Sequence, residues 1–371
     1  HTDVDARLVN LRAYKDRLCD EDLLWEKEEH RSEIVRVLES ADILHFHHPF
    51  DWQSTNNLFG LNFKEIVKSD IKVVRHYHSD PSVYLANTAV FNDFQGDTDY
   101  LPNLVIPHYP ERFYPNAKVV PNLIPIDDPL YRPENVNNDT PVIAFAPSNM
   151  RFAYEDRWNT KSAPEVITIM KNLKKKYSFQ FDLIRNRPLS ECLRRKQQSD
   201  VVIDDLTTGS YHLSALEGLA MGKPTLSYLD DRSAHILRTI TGAPSLPFVN
   251  VQLEHCSTVL CDLFNDKELR KIIGQQSRKW IETYYNDALL VNHFVDAYEK
   301  VRCKEPLGGK QLPSLQKNSR CVVDVKIHDA IWESRKKRFD SRLFRTKWKF
   351  NSFRKRIINR IAGRNTKNEL A

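Results

Sequence analysis

Short apolar runs alternate with amphipathic stretches of helical length between residues 141 and 229. The apolar runs include "PVIAFAPS" and "FQFDLI", and "APEVITIMKNLKKK" lies between them. Strands that alternate with helices of this length are typical of βαβ units, whose strands pair in parallel. Right-handed crossovers then predict a doubly wound α/β layer that binds ligands at the carboxyl ends of its strands.

The same pattern continues to the end of this half. We predict helices at "LSECLRRKQQ" and "SYHLSALEGLAM" and strands at "DVVIDDL" and "KPTLSYL". Residues 276–301 predict one long helix that closes the fold.

A weaker alternation precedes this half. "ADILHFHH" and "IKVVRHYH" are predicted strands with the helical "FKEIVKS" between them, and "PNLVIPH" and "AKVVPN" predict two more. The chain starts without Met, and no first strand with a Gly-rich turn precedes these segments, so we expect a short or truncated beginning.

A Pro- and Asn-rich segment at 121–141 has the composition of an interdomain linker. It divides the chain into a Rossmann-like domain at 1–135, a second Rossmann-like domain at 136–305 and a tail at 306–371. Two such α/β domains joined by a linker are expected to face each other across a cleft.

Composition indicates a globular α/β protein, with 41% hydrophobic residues among 371. The six cysteines are scattered and form no CxxC pair, so they predict reduced thiols in a cytoplasmic protein. No apolar run approaches the roughly 20 residues that span a bilayer.

Positive charge is concentrated in the tail. Residues 331–364 hold thirteen Lys and Arg against two acids, a net charge of +11 in a chain whose total is +6. Phe353, Ile357 and Ile361 follow helical spacing, which favours an amphipathic helix on an anionic membrane surface at the inner face. The alternatives are a helix packed on the body and, less favoured, a nucleic-acid contact.

The segment "TGSYHLSALEGLAMGKPT", with "APSNMR" before it, resembles GT-B glycosyltransferases of the glycosyltransferase-4 (group 1) type. The resemblance is best over 141–229, is looser upstream and leaves out the tail. It implies a GT-B fold and the transfer of a sugar, with retention, from a nucleotide-sugar donor to a glycan or lipid-linked acceptor. Such activity belongs to polysaccharide biosynthesis, and it implies neither a cofactor nor a metal.

In that family two glutamates stand eight positions apart, and the second binds the ribose hydroxyls. Glu217 matches the second, whereas Gly209 stands where the first would be, which leaves the contacts to the donor sugar open. A carboxylate in an apolar helix needs hydrogen-bond partners, and ribose would supply them. The alternative is a partly exposed acid near the start of a helix.

Four residues where that helix is predicted to open complete the predicted donor site: Gly209, Ser210, Tyr211 and His212. Backbone N–H groups at a helix N-terminus bind phosphate. Gly209 is expected to let the backbone approach the phosphate closely, and Ser210 is expected to cap the helix. An ordinary capped helix start has the same pattern.

The resemblance assigns catalytic roles to Arg151 and Lys161, which follow the first strand of this half. Fixed cations there would neutralise the diphosphate as it leaves. The family's Lys-Gly-Thr is not intact, Arg157 competes with Arg151, and each cation has a solvated surface position as its alternative.

His78 is the third predicted catalytic residue, because the family places a histidine near the reacting carbon at this point. His76 and His78 share one face of a strand end, and a buried structural histidine is an equally good interpretation. With His45, His47 and His48 they also suggest a metal, which we set aside because no acidic ligand accompanies them.

Asp204 and Asp205 end a strand, where either a general base or hydrogen bonding of the loop explains them. Asp230 and Asp231 are interpreted as turn residues. No Gly-x-Gly-x-x-Gly, Walker loop or nucleophile elbow is present, which argues against a dehydrogenase, an NTPase and an α/β-hydrolase. The alternative function is a non-catalytic GT-B protein that serves as a binding module or scaffold.

Overall fold

The computed structural model describes most of the chain up to residue 307: residues 2–11, 13, 22–47, 52, 53, 55, 57, 59–79, 102–114, 116–151, 153 and 161–307. The basic segment at 331–364 lies outside the described residues, as do Arg157 and His48. Three parallel sheets, of two, four and five strands, organise the described part.

The first half forms a four-stranded parallel sheet in the order β3-β4-β5-β6. All the strands and the helix predicted there are confirmed. The short pair β1 and β2 and the helix α1 were not predicted. The elements are β1 (Val9–Asn10), β2 (Leu23–Leu24), α1 (Glu28–Ser40), β3 (Ile43–His47), α2 (Phe63–Ile66), β4 (Lys72–Tyr77), β5 (Asn103–Val105) and β6 (Lys118–Val119).

The second half forms a five-stranded parallel sheet in the order β8-β7-β9-β10-β11. The strand order reverses between β7 and β9, which creates a topological switch point at their carboxyl ends. The elements are β7 (Val142–Phe145), α3 (Ala163–Leu173), β8 (Gln180–Leu183), α4 (Leu189–Gln197), β9 (Val201–Ile203), α5 (Leu213–Ala220), β10 (Thr225–Ser227), α6 (Asp231–Thr241) and β11 (Val249–Asn250).

Helices cover both faces of this second sheet. On one face, Ile143 and Phe145 pack with Val166 of α3. On the other face, Ala144 packs with Cys192 of α4. Successive side chains along β7 therefore alternate between the cores on the two faces of the sheet. The predicted doubly wound α/β layer is confirmed.

The prediction of one long helix at 276–301 is wrong. α8 ends at Tyr284, and Asn286 then caps the next helix by accepting a hydrogen bond of 3.0 Å from Leu289 N–H. The closing helices are α7 (Cys256–Asn265), α8 (Lys267–Tyr284), α9 (Asp287–Leu290) and α10 (Asn292–Arg302).

α10 packs on the four-stranded sheet of the first half. Its Ala297 and Val301 pack with Val74, Leu104 and Val120, so the end of the described chain covers one face of the four-stranded sheet. Among the helices of the described ranges, none has the length and apolarity needed to cross a membrane.

Candidate functional site

The switch point of the second sheet brings a lysine and an aspartate together. Phe145 and Ile203 are partners in the ladder between β7 and β9, so the residues that follow them lie at one edge. Lys161 Nζ lies 2.8 Å from Asp204 Oδ1 and is buried with it. The structure thus places the predicted catalytic Lys161 at the expected edge, but in a buried ion pair.

The backbone at this lysine is strained. Lys161 and Ser162 have φ values of +50° and +49°, a left-handed region that costs a residue with a side chain about 1–3 kcal/mol. Ser162 Oγ lies 2.6 Å from Thr207 Oγ1. The ion pair with Asp204 and this hydrogen bond hold the conformation.

Two aspartates after β9 organise the loop that follows. Asp205 Oδ1 accepts hydrogen bonds from the N–H groups of Thr207 (2.9 Å) and Thr208 (3.0 Å). Asp204 Oδ2 accepts one of 2.8 Å from His212 N–H. Of the two interpretations of this pair, hydrogen bonding of the loop is the one that the contacts support.

Asp205 also lies 3.0 Å from His212 Nε2. Burial by itself raises the pKa of a carboxyl group, but the hydrogen bond and charge of His212 and the bonds from Thr208 outweigh it. The pKa of Asp205 therefore lies below its ordinary value. The ionised form of Asp205 is therefore the form that accepts the hydrogen bonds of this loop.

The predicted donor segment is enclosed. Ser210 and Tyr211 have no exposed surface. The prediction that Ser210 caps the helix is wrong: α5 begins at Leu213, its N-cap residue is His212, and no side chain caps it. The N–H of His212 is already bonded to Asp204, so this donor of the helix start is occupied by the protein's own carboxylate.

Several buried polar atoms around this segment lack a hydrogen-bond partner within the described residues. They are Ser210 Oγ, Tyr211 Oη, Ser214 Oγ and His108 Nε2. Most buried polar atoms in proteins are satisfied by protein, water or a ligand. Their concentration at the start of α5 marks it as the strongest candidate for ligand binding in the second half.

His108 connects this segment to the first half of the chain. It follows β5, and its Nδ1 lies 2.9 Å from the carbonyl oxygen of Tyr211. Since only a protonated nitrogen donates to a carbonyl, Nδ1 carries the proton. Complete burial lowers the pKa of His108 to about 3. A neutral imidazole therefore joins the two halves.

Gly209 has φ +79°, and a Cβ there would lie 2.8 Å from Asp230 Oδ2. We expected Gly209 to let a ligand approach the backbone closely. The group that approaches it is the side chain of Asp230. Asp230 itself is not a simple turn residue. It caps α6 by accepting a bond from Ser233 N–H.

A buried network of charges joins the two halves beside Asp230. Arg112 Nη2 lies 2.7 Å from Asp230 Oδ2, and Arg232 Nε lies 3.0 Å from Glu111 Oε1. Glu111 and Arg112 belong to a 3-10 turn after β5, whereas the other two residues begin α6. Sequence inspection missed this network because charged pairs beside a turn have no distinguishing spacing.

Glu217 is paired within the protein. Its Oε2 accepts a hydrogen bond from Lys196 Nζ of α4, and both side chains are buried. A lysine of the same chain therefore supplies a partner that we expected from ribose, and the alternative of a partly exposed acid does not hold. The pairing of Lys196 was not predicted, because a lysine within "LRRKQQ" has the pattern of a solvated helix face.

The carboxyl ends of β3 and β4 bring four histidines together. His47 and His76 are partners in the ladder between these strands. His47 Nδ1 lies 2.9 Å from Nε2 of the predicted catalytic His78. Burial, with a smaller effect of His47, lowers the pKa of His45 to about 3. The prediction that His76 and His78 share one face is confirmed, since their ring centroids lie 4.1 Å apart.

Arg151 is exposed and follows β7. Its N–H is bonded at 3.1 Å to Asn149 Oδ1. Of the two predicted cations of the diphosphate site, Arg151 is therefore the one at the surface, and Lys161 is the buried one.

No protein-family model matches the chain, and no curated protein matches it significantly. Among solved structures, it is similar to sucrose-phosphate synthase from Thermosynechococcus elongatus, with 12% identity, a TM-score of 0.46 and coverage of 77% of this chain and 82% of that one. A glycosyltransferase from Rickettsia africae has 14% identity, a TM-score of 0.42 and coverage of 73% and 80%.

An alpha-glucosyltransferase in complex with UDP-glucose and DNA containing an abasic site has 13% identity, a TM-score of 0.46 and coverage of 75% and 84%. These neighbours are GT-B glycosyltransferases, the group that the sequence resembles. Each identity is below 25% and each TM-score below 0.5, so the similarities do not extend to the activity of this chain.

Proposed function

We propose that the chain is a glycosyltransferase that moves a sugar from a nucleotide-sugar donor to a glycan or lipid-linked acceptor, with retention of configuration. The observation that carries the proposal is the position of the segment from Gly209 to His212. It lies next to the switch point of a doubly wound sheet, the place where such sheets bind nucleotides, and it contains buried polar atoms without a partner in the described chain.

Glu217 retains a role in the proposal. Only its Oε2 is bonded to Lys196, so Oε1 is the acceptor that we assign to a ribose hydroxyl. Lys196 holds the carboxylate in place and balances its charge, which lowers the cost of burying it. The ion pair is then a support for donor binding.

His78 and Arg151 are the groups that we assign to the reacting end of the donor. As the bond from the sugar to the diphosphate breaks, negative charge develops on the phosphate oxygens, and the exposed guanidinium of Arg151 would stabilise it. Lys161 would add positive charge from its buried position beside Asp204. His78 would contact the sugar. We expect no cofactor and no metal at the diphosphate, so omission of Mg²⁺ and Mn²⁺ should leave the rate of transfer unchanged.

Thermal-shift and calorimetric titration with a panel of nucleoside diphosphates and nucleotide-sugars tests the donor site. The wild-type chain should bind one nucleotide class and slowly hydrolyse the corresponding sugar donor. Glu217→Gln should weaken that binding at least about 10-fold, because a charged acceptor contributes about 1.5–3 kcal/mol. Glu268→Gln, at an exposed glutamate of α8, is the matched control. If no nucleotide in the panel binds, the proposal is wrong.

We further propose that the protein acts at the cytoplasmic face of a membrane in polysaccharide biosynthesis, held there by the basic segment at 331–364. Thirteen cations in 34 residues would attract anionic lipids at about 1 kcal/mol each near the surface. Cosedimentation should therefore occur with vesicles that contain phosphatidylserine and should decline with salt. A chain that ends at residue 330 should remain in the supernatant and still bind the donor.

A further inference from the structure

Three imidazoles at the end of the first sheet are close enough to share one ion. They belong to His45 and His47 of β3 and to His76 of β4, and one ring nitrogen of each lies within 4.8 Å of the other two. Ligands of a tetrahedral zinc ion, with Zn–N bonds of about 2.0–2.1 Å, lie about 3.4 Å apart. Binding of one ion therefore requires the rings to rotate and shorten the remaining distance.

The other ring nitrogens of two of these histidines are already engaged. His45 Nδ1 lies 2.7 Å from the hydroxyl of Tyr298 in α10. His47 Nδ1 lies 2.9 Å from His78 Nε2. A histidine that binds a metal almost always donates its second N–H to an acceptor, commonly a carboxylate, a backbone carbonyl or water, which fixes the tautomer and the orientation of the ring. Here a tyrosine hydroxyl and an imidazole occupy that position.

In the tautomers that would bind a metal, Nδ1 of each ring donates to its partner and Nε2 carries the lone pair. His45 Nε2 is buried and has no hydrogen-bond partner in the part of the chain that the structure describes. A buried ring nitrogen without a partner is unfavourable in either tautomer unless an ion, water or ligand satisfies it. The buried Nε2 atom of His45 without a partner is what indicates a binding site and not merely a cluster of stacked rings.

Ring packing alone accounts for part of the arrangement. The rings of His45 and His47 are stacked with centroids 4.5 Å apart, and His45 also lies against Phe294 of α10. Stacking does not account for the buried Nε2 atom. No acidic ligand with recognisable spacing accompanies these histidines in the sequence, but three imidazoles are sufficient donors for a catalytic-type zinc site.

We propose that His45, His47 and His76 bind one divalent transition-metal ion of the zinc class, with a further coordination position open to water or another ligand. Imidazole donors favour zinc, copper, nickel and cobalt over magnesium and calcium. Tyr298 and His78 are positioning residues, since each orients a ligand ring. The site lies on the four-stranded sheet, and its neighbour His78 is also the residue that the proposed function assigns to the donor sugar.

The test is a metal titration of the full, untagged chain after removal of metal by a chelator. Zn²⁺ affinity is measured by competition with a chromophoric chelator, and stoichiometry by elemental analysis. We expect one site per chain. Co²⁺ at the same site should give the visible absorption of a low-symmetry complex with nitrogen ligands.

His47→Ala is the decisive variant, because His47 is exposed and its loss should leave the fold intact. Zn²⁺ affinity should fall at least about 100-fold, more than the roughly 10–100-fold expected from loss of an orienting partner. Tyr298→Phe should lower the affinity about 10-fold. His255→Ala, at an exposed histidine before α7, should leave it unchanged.

Thermal unfolding provides a second readout, since an ion that binds only the folded chain raises the melting temperature. Zn²⁺ should raise that of the wild-type chain and of His255→Ala, but not that of His47→Ala. Equal Zn²⁺ affinity in the wild-type chain and His47→Ala would overturn the proposal, as would the absence of a stoichiometric site. Neither result bears on nucleotide binding, so the two proposals fail separately.

Discussion

Glu217 of α5 and Lys196 of α4 form a buried ion pair. The pair joins two neighbouring helices on the same side of the second sheet. A buried charge that loses its partner destabilises a protein by about 3–5 kcal/mol, whereas removal of both charges is often neutral. The pair therefore serves the fold whether or not the carboxylate also binds a ribose.

Lys196→Met should lower the free energy of unfolding by about 3 kcal/mol, because Glu217 would remain buried without its cation. Urea unfolding measures the difference. Arg194→Met, at an exposed position of the same helix, should change it by less than about 0.5 kcal/mol. The double variant Lys196→Met/Glu217→Gln should recover most of the loss. Equal stability of the two single variants would show that the ion pair does not form.

Gly209→Ala should be more destabilising than Gly242→Ala. Both glycines have positive φ, +79° and +70°, but a Cβ meets Asp230 Oδ2 at 2.8 Å only at Gly209, and nothing within 4 Å at Gly242. Backbone strain alone should therefore cost about 1 kcal/mol at Gly242, and the clash should add to it at Gly209. Thermal or urea unfolding of both variants gives the comparison, and equal losses would contradict the close approach.

Asp205→Asn should destabilise the chain in a pH-dependent manner. The pKa of Asp205 lies below 3.8 in the folded state, so the carboxylate contributes stability that is present above about pH 4 and is lost as the pH falls through its folded pKa. At pH 6 the loss should be about 2–3 kcal/mol. Below pH 3.8 the gap between variant and wild type should narrow.

Asp139→Asn, at an exposed position in the linker, is the control for this titration and should follow the wild-type curve. A deficit of Asp205→Asn that stays constant from pH 6 to pH 3 would mean that the carboxylate form is not the one that holds the loop.

Arg151→Ala should separate catalysis from folding. Because Arg151 is exposed, the free energy of unfolding should change by less than about 0.5 kcal/mol. Loss of a cation at the leaving diphosphate should lower the rate of donor hydrolysis about 10²-fold or more. Arg36→Ala, at an exposed arginine of α1, should leave that rate unchanged. Equal rates for the two variants would remove Arg151 from the proposed site.

The parallel strands of the second sheet were predictable because each is a short apolar run bounded by helices with one apolar face. Val142–Phe145 and Val201–Ile203 are examples. The break between α8 and α10 was not predictable from periodicity. Both helices keep an apolar stripe, and Asn286 ends the continuity through a cap that local pattern does not distinguish from a surface polar residue.

In the candidate site, too, some features were predictable from the sequence and others were not. Sequence inspection placed Lys161 and the segment from Gly209 to His212 near one edge, because strand ends determine where loops lie. It did not predict that Asp204 pairs with Lys161 and bonds the N–H of His212. Two carboxylates that follow one strand have the same local pattern whether they face solvent, a ligand or their own loop.

The sequence by itself determined the α/β class, the parallel strands and the alternation that puts His76 and His78 on one face of a strand end, because these follow from side-chain periodicity. The tertiary structure alone decided the partners of the charged groups. Lys196 meets Glu217 and Arg112 meets Asp230 only after separate helices pack. Periodicity is local along the chain, whereas the pairing of buried charges depends on groups that folding brings together from distant positions.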